Sequence, residues 1–94
     1  MLKIERTSQF KRDYKRELKG RYRLTLESML ITKLNYFIND IELPSHYHDH
    51  LLTGNWKSHR DCHLKPDLVL LYRHFEETHT VQLVRLGSHS ELGL

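Results

Sequence analysis

The stretch Leu52–Arg73, LTGNWKSHRDCHLKPDLVLLYR, decides the fold. Its second half, DLVLLYR, is an almost unbroken apolar run of strand length, the pattern of a buried strand. Lys65-Pro66-Asp67-Leu68 reads as a tight turn with proline in second position. The residues before the turn therefore read as the partner strand, yet His59, Asp61, His63 and Lys65 stand at every second position. Side chains alternate between faces along a strand, so this titratable row shares one face. With Pro66-Asp67 as the loop, Lys65 is placed opposite Leu68, His63 opposite Leu70 and Asp61 opposite Tyr72. Cys62, Leu64, Val69 and Leu71 then form the face that helices cover, with Cys62 a small core residue. Asp61, His63, Lys65, Leu70 and Tyr72 form the other, left for a ligand or for water.

Outward from the hairpin, TVQLVRL at 80–86 predicts a third strand beside the two at 59–65 and 68–74. Upstream, LKIER at 2–6 alternates apolar and charged residues, as a short strand does. Thr7 is a natural cap for the helix that follows, whose stripe is Phe10, Tyr14 and Leu18 and whose stop is Gly20. A second helix over 22–39 carries Leu26, Leu30, Leu34, Phe37, Ile38 and Ile41, and Pro44 closes it. The order β-α-α-β-β-β predicts an α+β domain spanning 1–94, with two helices packed on one face of a largely antiparallel sheet.

The totals agree with one soluble domain. Ninety-four residues, 38% hydrophobic and 29% charged, support one modest core. No apolar run approaches the roughly 20 residues that span a bilayer. MLKIERTSQF lacks the apolar segment of a signal peptide, and a single cysteine forms no internal disulfide, so the expectation is a cytoplasmic protein away from membranes. The net charge of +3 is unevenly placed: residues 1–23 hold nine of the fifteen Lys and Arg against three acids, leaving +6 there and −3 in the remainder. Such a basic segment suits a polyanion or an acidic protein partner, and equally a solvated helix face.

The row on the strand suggests chemistry. Carboxylate, imidazole and cation together are what phosphodiester cleavage needs: a base for the attacking 2′-hydroxyl, a cation for the phosphoryl oxygens, an acid for the leaving 5′-oxygen. His50 and His89 flank the sheet in sequence and are candidates for base and acid. A half-exposed sheet carrying surface polar residues is the plain alternative. A metal reading competes, because His46, His48 and His50 alternate around Asp49 in HYHDH and three imidazoles suit Zn²⁺, Ni²⁺ or Cu²⁺. No paired cysteines and no HExxH accompany them, and no metal or other cofactor is expected.

DHLLTGNWKSHRDCHLKPDLVLLYR at 49–73, followed by VRLGSHSEL at 84–92, closely resembles the YafQ branch of the RelE/ParE toxin superfamily. The resemblance follows the whole chain in element order. It implies a small cytoplasmic endoribonuclease toxin that enters the ribosomal A site and cuts mRNA there without a metal, using the 2′-hydroxyl as nucleophile. It implies a catalytic set of His50, Asp61, His63, Asp67 and His89. His50 would act as general base and His89 as general acid, while His63 and Asp67 orient the phosphate and Asp61 orients a neighbouring imidazole. Arg85 would contact phosphate, and Lys11, Lys15, Lys19, Lys57, Arg60 and Lys65 would complete the RNA-binding surface. The implied partners are the ribosome with its mRNA and a cognate antitoxin, through which the toxin–antitoxin complex would bind operator DNA. One position departs: the branch usually carries an aromatic after GSHSEL, where this chain has Gly93. Two other readings belong to the same superfamily, a ParE-like toxin that inhibits gyrase without cutting anything, and a catalytically weakened toxin serving mainly as co-repressor.

Overall fold

The computed structural model describes residues 2–39, 41, 47 and 50–94, apart from the side chains of His50 and Asn55. The elements are β1 (Lys3–Arg6), α1 (Ser8–Glu17), α2 (Leu26–Ile38), β2 (His50–Leu51), β3 (Arg60–Lys65), β4 (Leu68–Phe75), β5 (Thr80–Gly87) and α3 (His89–Leu92), with 3₁₀ turns at Gly54–Trp56 and Glu76–Thr78. They form a five-stranded sheet in the order β1-β5-β4-β3-β2, antiparallel except for β1 against β5. The α+β expectation holds. The sequence reading missed β2 and α3, each too short to leave a periodic signal. It also started the second helix too early, because the Tyr22 carbonyl accepts from both the Thr25 and Leu26 N–H in a turn that precedes α2.

Thr7 caps α1 as expected, accepting at Oγ1 from the Phe10 N–H at 3.0 Å. Phe10 is fully buried, but Leu18 at the far end of the predicted stripe is exposed. The main core lies between the helices and one sheet face and contains Phe10, Leu26, Leu30, Cys62, Leu68, Leu70, Tyr72, Val81, Leu83 and Leu86. Lys33 of α2 is wholly buried there, with its Nζ 4.6, 5.0 and 5.3 Å from the ring centroids of Phe37, Tyr47 and Tyr72. At that range the negative ring faces attract an ammonium group.

The hairpin corrects the predicted register. Lys65 does face Leu68, but His63 faces Val69, Cys62 faces Leu70, Asp61 faces Leu71 and Arg60 faces Tyr72. Leu64 is an extra residue on β3, a bulge. Because the side-chain period is two, a slip of one residue exchanges the faces of the whole partner strand. Leu70 and Tyr72 therefore lie under the helices, and Val69 and Leu71 lie with Asp61 and His63. That second face is not left open throughout. Val69, Leu71 and Leu92 form a smaller core there, with Leu52, Trp56 and Val84 packed against it.

β1 runs in register with Thr80–Leu83 only. Beyond it the outer edge of β5 would be bare, and α1 satisfies it. The Thr7 N–H donates to the Leu83 carbonyl at 3.0 Å, and Thr7 Oγ1 donates to the Val84 carbonyl at 2.8 Å. The Leu86 N–H donates to Asp13 Oδ2 at 3.0 Å, and Arg16 Nη2 donates to the Leu86 carbonyl at 2.8 Å. Unpaired backbone groups at a buried sheet edge are costly, and here side chains of one helix replace a missing strand.

Candidate active site

Four of the expected site residues, Asp61, His63, Asp67 and His89, meet on the second sheet face. His63 on β3 and His89 at the start of α3 have ring centroids 5.0 Å apart and planes at 89°, edge to face. Asp67, in the turn after β3, holds His89 twice: its Oδ1 accepts from the His89 backbone N–H at 3.0 Å and lies 2.7 Å from the ring Nδ1. The backbone bond and then the ring bond hold the Asp67 carboxyl below its ordinary pKa. With Nδ1 tied to a carboxylate, the ring's orientation is fixed and Nε2 is the nitrogen left for chemistry. Asp61 is buried, with Oδ2 3.9 Å from His63 Nε2. His63 and His89 are part-exposed, their side chains 20% and 38% accessible. The pair is thus reachable from solvent and stands on the floor made by Val69, Leu71 and Leu92.

His50 enters through its backbone alone, opposite Asp61 in the antiparallel pairing of β2 with β3. Its side chain, and the residues His46, His48 and Asp49 of the metal reading, lie outside the described residues. Among the described residues, no group of three or more His, Cys, Asp or Glu side chains is arranged to hold a metal ion.

The small helix that carries His89 is well anchored. Ser88 and Glu91 form a capping box: Glu91 Oε1 accepts from the Ser88 N–H at 2.9 Å, and Ser88 Oγ accepts from the Glu91 N–H at 3.1 Å. The Ser88 backbone bond leads the influences that hold the Glu91 carboxyl below its ordinary pKa. Trp56 Nε1–H donates to the Leu92 carbonyl at 3.0 Å. Gly93 follows at φ +72°, the left-handed residue that ends a helix. A side chain there would meet open space but a strained backbone. The position that departs from the YafQ pattern thus serves here as a stop, and Trp56 is the aromatic packed on this face.

The family model for the bacterial toxin YafQ of type II toxin–antitoxin systems matches residues 2–93. The chain belongs to the YafQ family. It is 34% identical over 89 residues to the mRNA interferase toxin YafQ of Escherichia coli strain K12, covering 95% of this chain and 92% of that protein. YafQ in a crystal structure of the E. coli DinJ–YafQ complex superposes at a TM-score of 0.82 with 32% identity, covering 98% of both chains. A metal-bound toxin from Helicobacter pylori superposes at 0.84 with 39% identity, covering 98% of this chain and 99% of the other.

Arg85 is placed differently from a free phosphate contact in this YafQ fold. Its Nε and Nη2 lie 2.7 and 3.3 Å from Asp13 Oδ2 and Oδ1. Asp13 is fully buried, and it is the residue that the sequence reading overlooked. The available signal was a carboxylate three residues after Phe10, on the apolar side of a helix. Lys11, Lys15, Lys19, Lys57 and Lys65 are exposed and Arg60 is part-exposed. The α1 lysines belong to the helix layer, on the opposite sheet face from His63 and His89.

Proposed function

We propose that this chain is a ribosome-dependent mRNA interferase, an endoribonuclease that cuts mRNA in the A site by metal-free acid–base catalysis. The observation that carries the reading is His89, tethered by Asp67 and set edge-on to His63 in a part-exposed site. A base takes the proton of the 2′-hydroxyl, whose oxygen attacks the adjacent phosphorus. The bond to the 5′-oxygen breaks, and an acid protonates that oxygen, leaving a 2′,3′-cyclic phosphate and a 5′-hydroxyl. His89 is assigned as the acid, since Asp67 holds its Nδ1 and leaves Nε2 facing the reaction. His50 is assigned as the base, His63 steadies the phosphoryl oxygens, and Asp61 orients His63. Lys57, Arg60 and Lys65 add positive charge around the hairpin, and Arg85 contributes through its pairing with Asp13. A cognate antitoxin would neutralise the toxin, and the pair would bind operator DNA through the antitoxin in the cytoplasm.

Primer extension on mRNA translated in the presence of the toxin tests this directly. Cuts are expected within codons held in the A site and absent without ribosomes. Intact mRNA together with inhibited gyrase supercoiling would replace the reading with a ParE-like one. Toxin dialysed against EDTA and assayed for bound metal should be as active as the untreated protein when added to ribosomes in their own Mg²⁺ buffer. Loss of cleavage that returns with stoichiometric Cu²⁺, Ni²⁺ or Zn²⁺ would overturn the metal-free mechanism.

The exposed lysines of α1 fit ribosomal RNA phosphate, which adds affinity without sequence information. Reversing charge at Lys11, Lys15 and Lys19 together should weaken cosedimentation with ribosomes and flatten its salt dependence, leaving the cut positions unchanged. An unaltered salt slope would remove these residues from the interface.

A further inference from the structure

We infer that Arg16 is a positioning residue for His89, locking α3 to the end of β5 from across the sheet edge. The inference rests on His89 serving in the proposed cleavage.

Arg16 sits at the C-terminal end of α1, in the helix layer, whereas α3 packs on the opposite face. The two meet where β1 no longer covers β5. There the guanidinium faces three carboxylates and a strand carbonyl at once. Its Nη1 lies 3.0 Å from Asp13 Oδ1, its Nε lies 3.0 Å from Glu17 Oε2 and 3.2 Å from Glu91 Oε2, and its Nη2 donates to the Leu86 carbonyl at 2.8 Å. Gly87 lies directly beneath. A Cβ there would stand 2.9 Å from Arg16 Nη2 and 3.1 Å from Glu91 Oε1, so any side chain at this position would displace the ends of both.

Glu91 is the joint. One carboxylate oxygen meets Arg16 and the other accepts from the Ser88 N–H, immediately before His89. Asp67 holds His89 from the far side. A four-residue helix has no stability of its own, isolated helices being marginal below about 12–15 residues. The placement of the His89 imidazole is therefore inherited from these contacts together with the burial of Leu92. Arg16 supplies the only contact among them that reaches α1, and its fork spans carboxylate and carbonyl together, which a lysine ammonium cannot do as well.

The test uses Arg16→Met, Glu91→Gln and the double variant in single-turnover cleavage on programmed ribosomes. Nitrogen NMR of the His89 imidazole in the free toxin is read alongside. Each single variant should slow cleavage about tenfold or more, since small misplacements of a reacting group are costly. The half-saturating ribosome concentration should stay within about twofold, because uniform binding is untouched. The double variant should be little worse than either single one, the mark of residues acting through one contact. Arg16→Lys should restore part of the rate. The His89 ring signals should move in both single variants. Unchanged ring signals and rates in Arg16→Met and Glu91→Gln, with His89→Ala inactive, would overturn the inference while sparing the active-site reading. If His89→Ala still cleaves, the active-site reading fails, and the ring signals alone decide whether Arg16 positions His89. Should Arg16→Met not fold, Glu91→Gln carries the same comparison.

Discussion

Alanine at His89 or at His63 is expected to slow mRNA cleavage by about 10²–10⁴-fold, the usual loss when a general acid or base is removed. Growth arrest should disappear with it. Neither residue belongs to the main core, and both rings reach solvent, so the domain should keep its fold. The two variants should differ in their neighbours: losing the His89 ring leaves Asp67 only the backbone N–H of residue 89, whereas losing His63 leaves the Asp67–His89 pair whole. Toxicity at matched soluble expression, with circular dichroism to verify folding, is the measurement. Wild-type growth arrest from either variant would dismantle the assigned site.

The second large effect concerns stability. Asp13→Ala removes a fully buried carboxylate from Arg85, from Arg16 and from the Leu86 N–H in one step. Breaking a buried pair by deleting one partner typically costs about 3–5 kcal/mol, and the part-exposure of Arg85 favours the lower end. Against a total stability of roughly 5–15 kcal/mol that loss is severe. At roughly 4–8 °C per kcal/mol for a domain of this size, the melting temperature should fall by more than about 10 °C. Asp13→Asn keeps an acceptor for the Leu86 N–H and should lose less. The same carboxylate sets an acid limit. Burial alone would raise its pKa, but the hydrogen bonds from Arg85 and Leu86 and the charges of Arg85 and Arg16 outweigh that and lower it. A lowered folded-state value means that Asp13 stabilises the fold above the ordinary carboxylate range. That contribution fades as pH drops through the lowered value. Thermal melts of wild type and Asp13→Asn should therefore converge at strongly acid pH. A constant gap between them down to that range would contradict the assignment.

Much of this was legible in the sequence, for physical reasons that differ by element. β4 declared itself because six of its eight residues, Leu68 to Tyr72 and Phe75, are apolar or aromatic. Thr7 and the Phe10 stripe located α1 by capping chemistry and helical period. The face of Leu70 and Tyr72 was not legible, because a bulge at Leu64 obeys no residue pattern and yet inverts everything beyond it. Asp13 and Lys33 were hidden for another reason: a charge on an apolar helix face looks like an interruption until the partner, distant in sequence, is known. Arg85 stands 72 residues from Asp13 and could not be paired with it by spacing. The site was half-visible. Alternation grouped Asp61 with His63, but only the turn geometry that folds Asp67 back onto His89, and the short helix after β5, bring His63 and His89 together.

The parallel pairing of β1 with β5 orders events during synthesis. β5 is the last strand to be made, yet it lies inside the sheet between β1 and β4. Until Thr80–Gly87 leaves the ribosome, Lys3–Arg6 has no neighbour to pair with and the hairpin of β3 and β4 has one edge unfilled. Contacts so far apart along the chain form late, because their loop-closure entropy must be met first. His89 follows that strand. Under the proposed assignment a nascent chain carries no assembled His63–His89 site until β5 is in place, which leaves an interval in which a partner can meet the chain before that site forms.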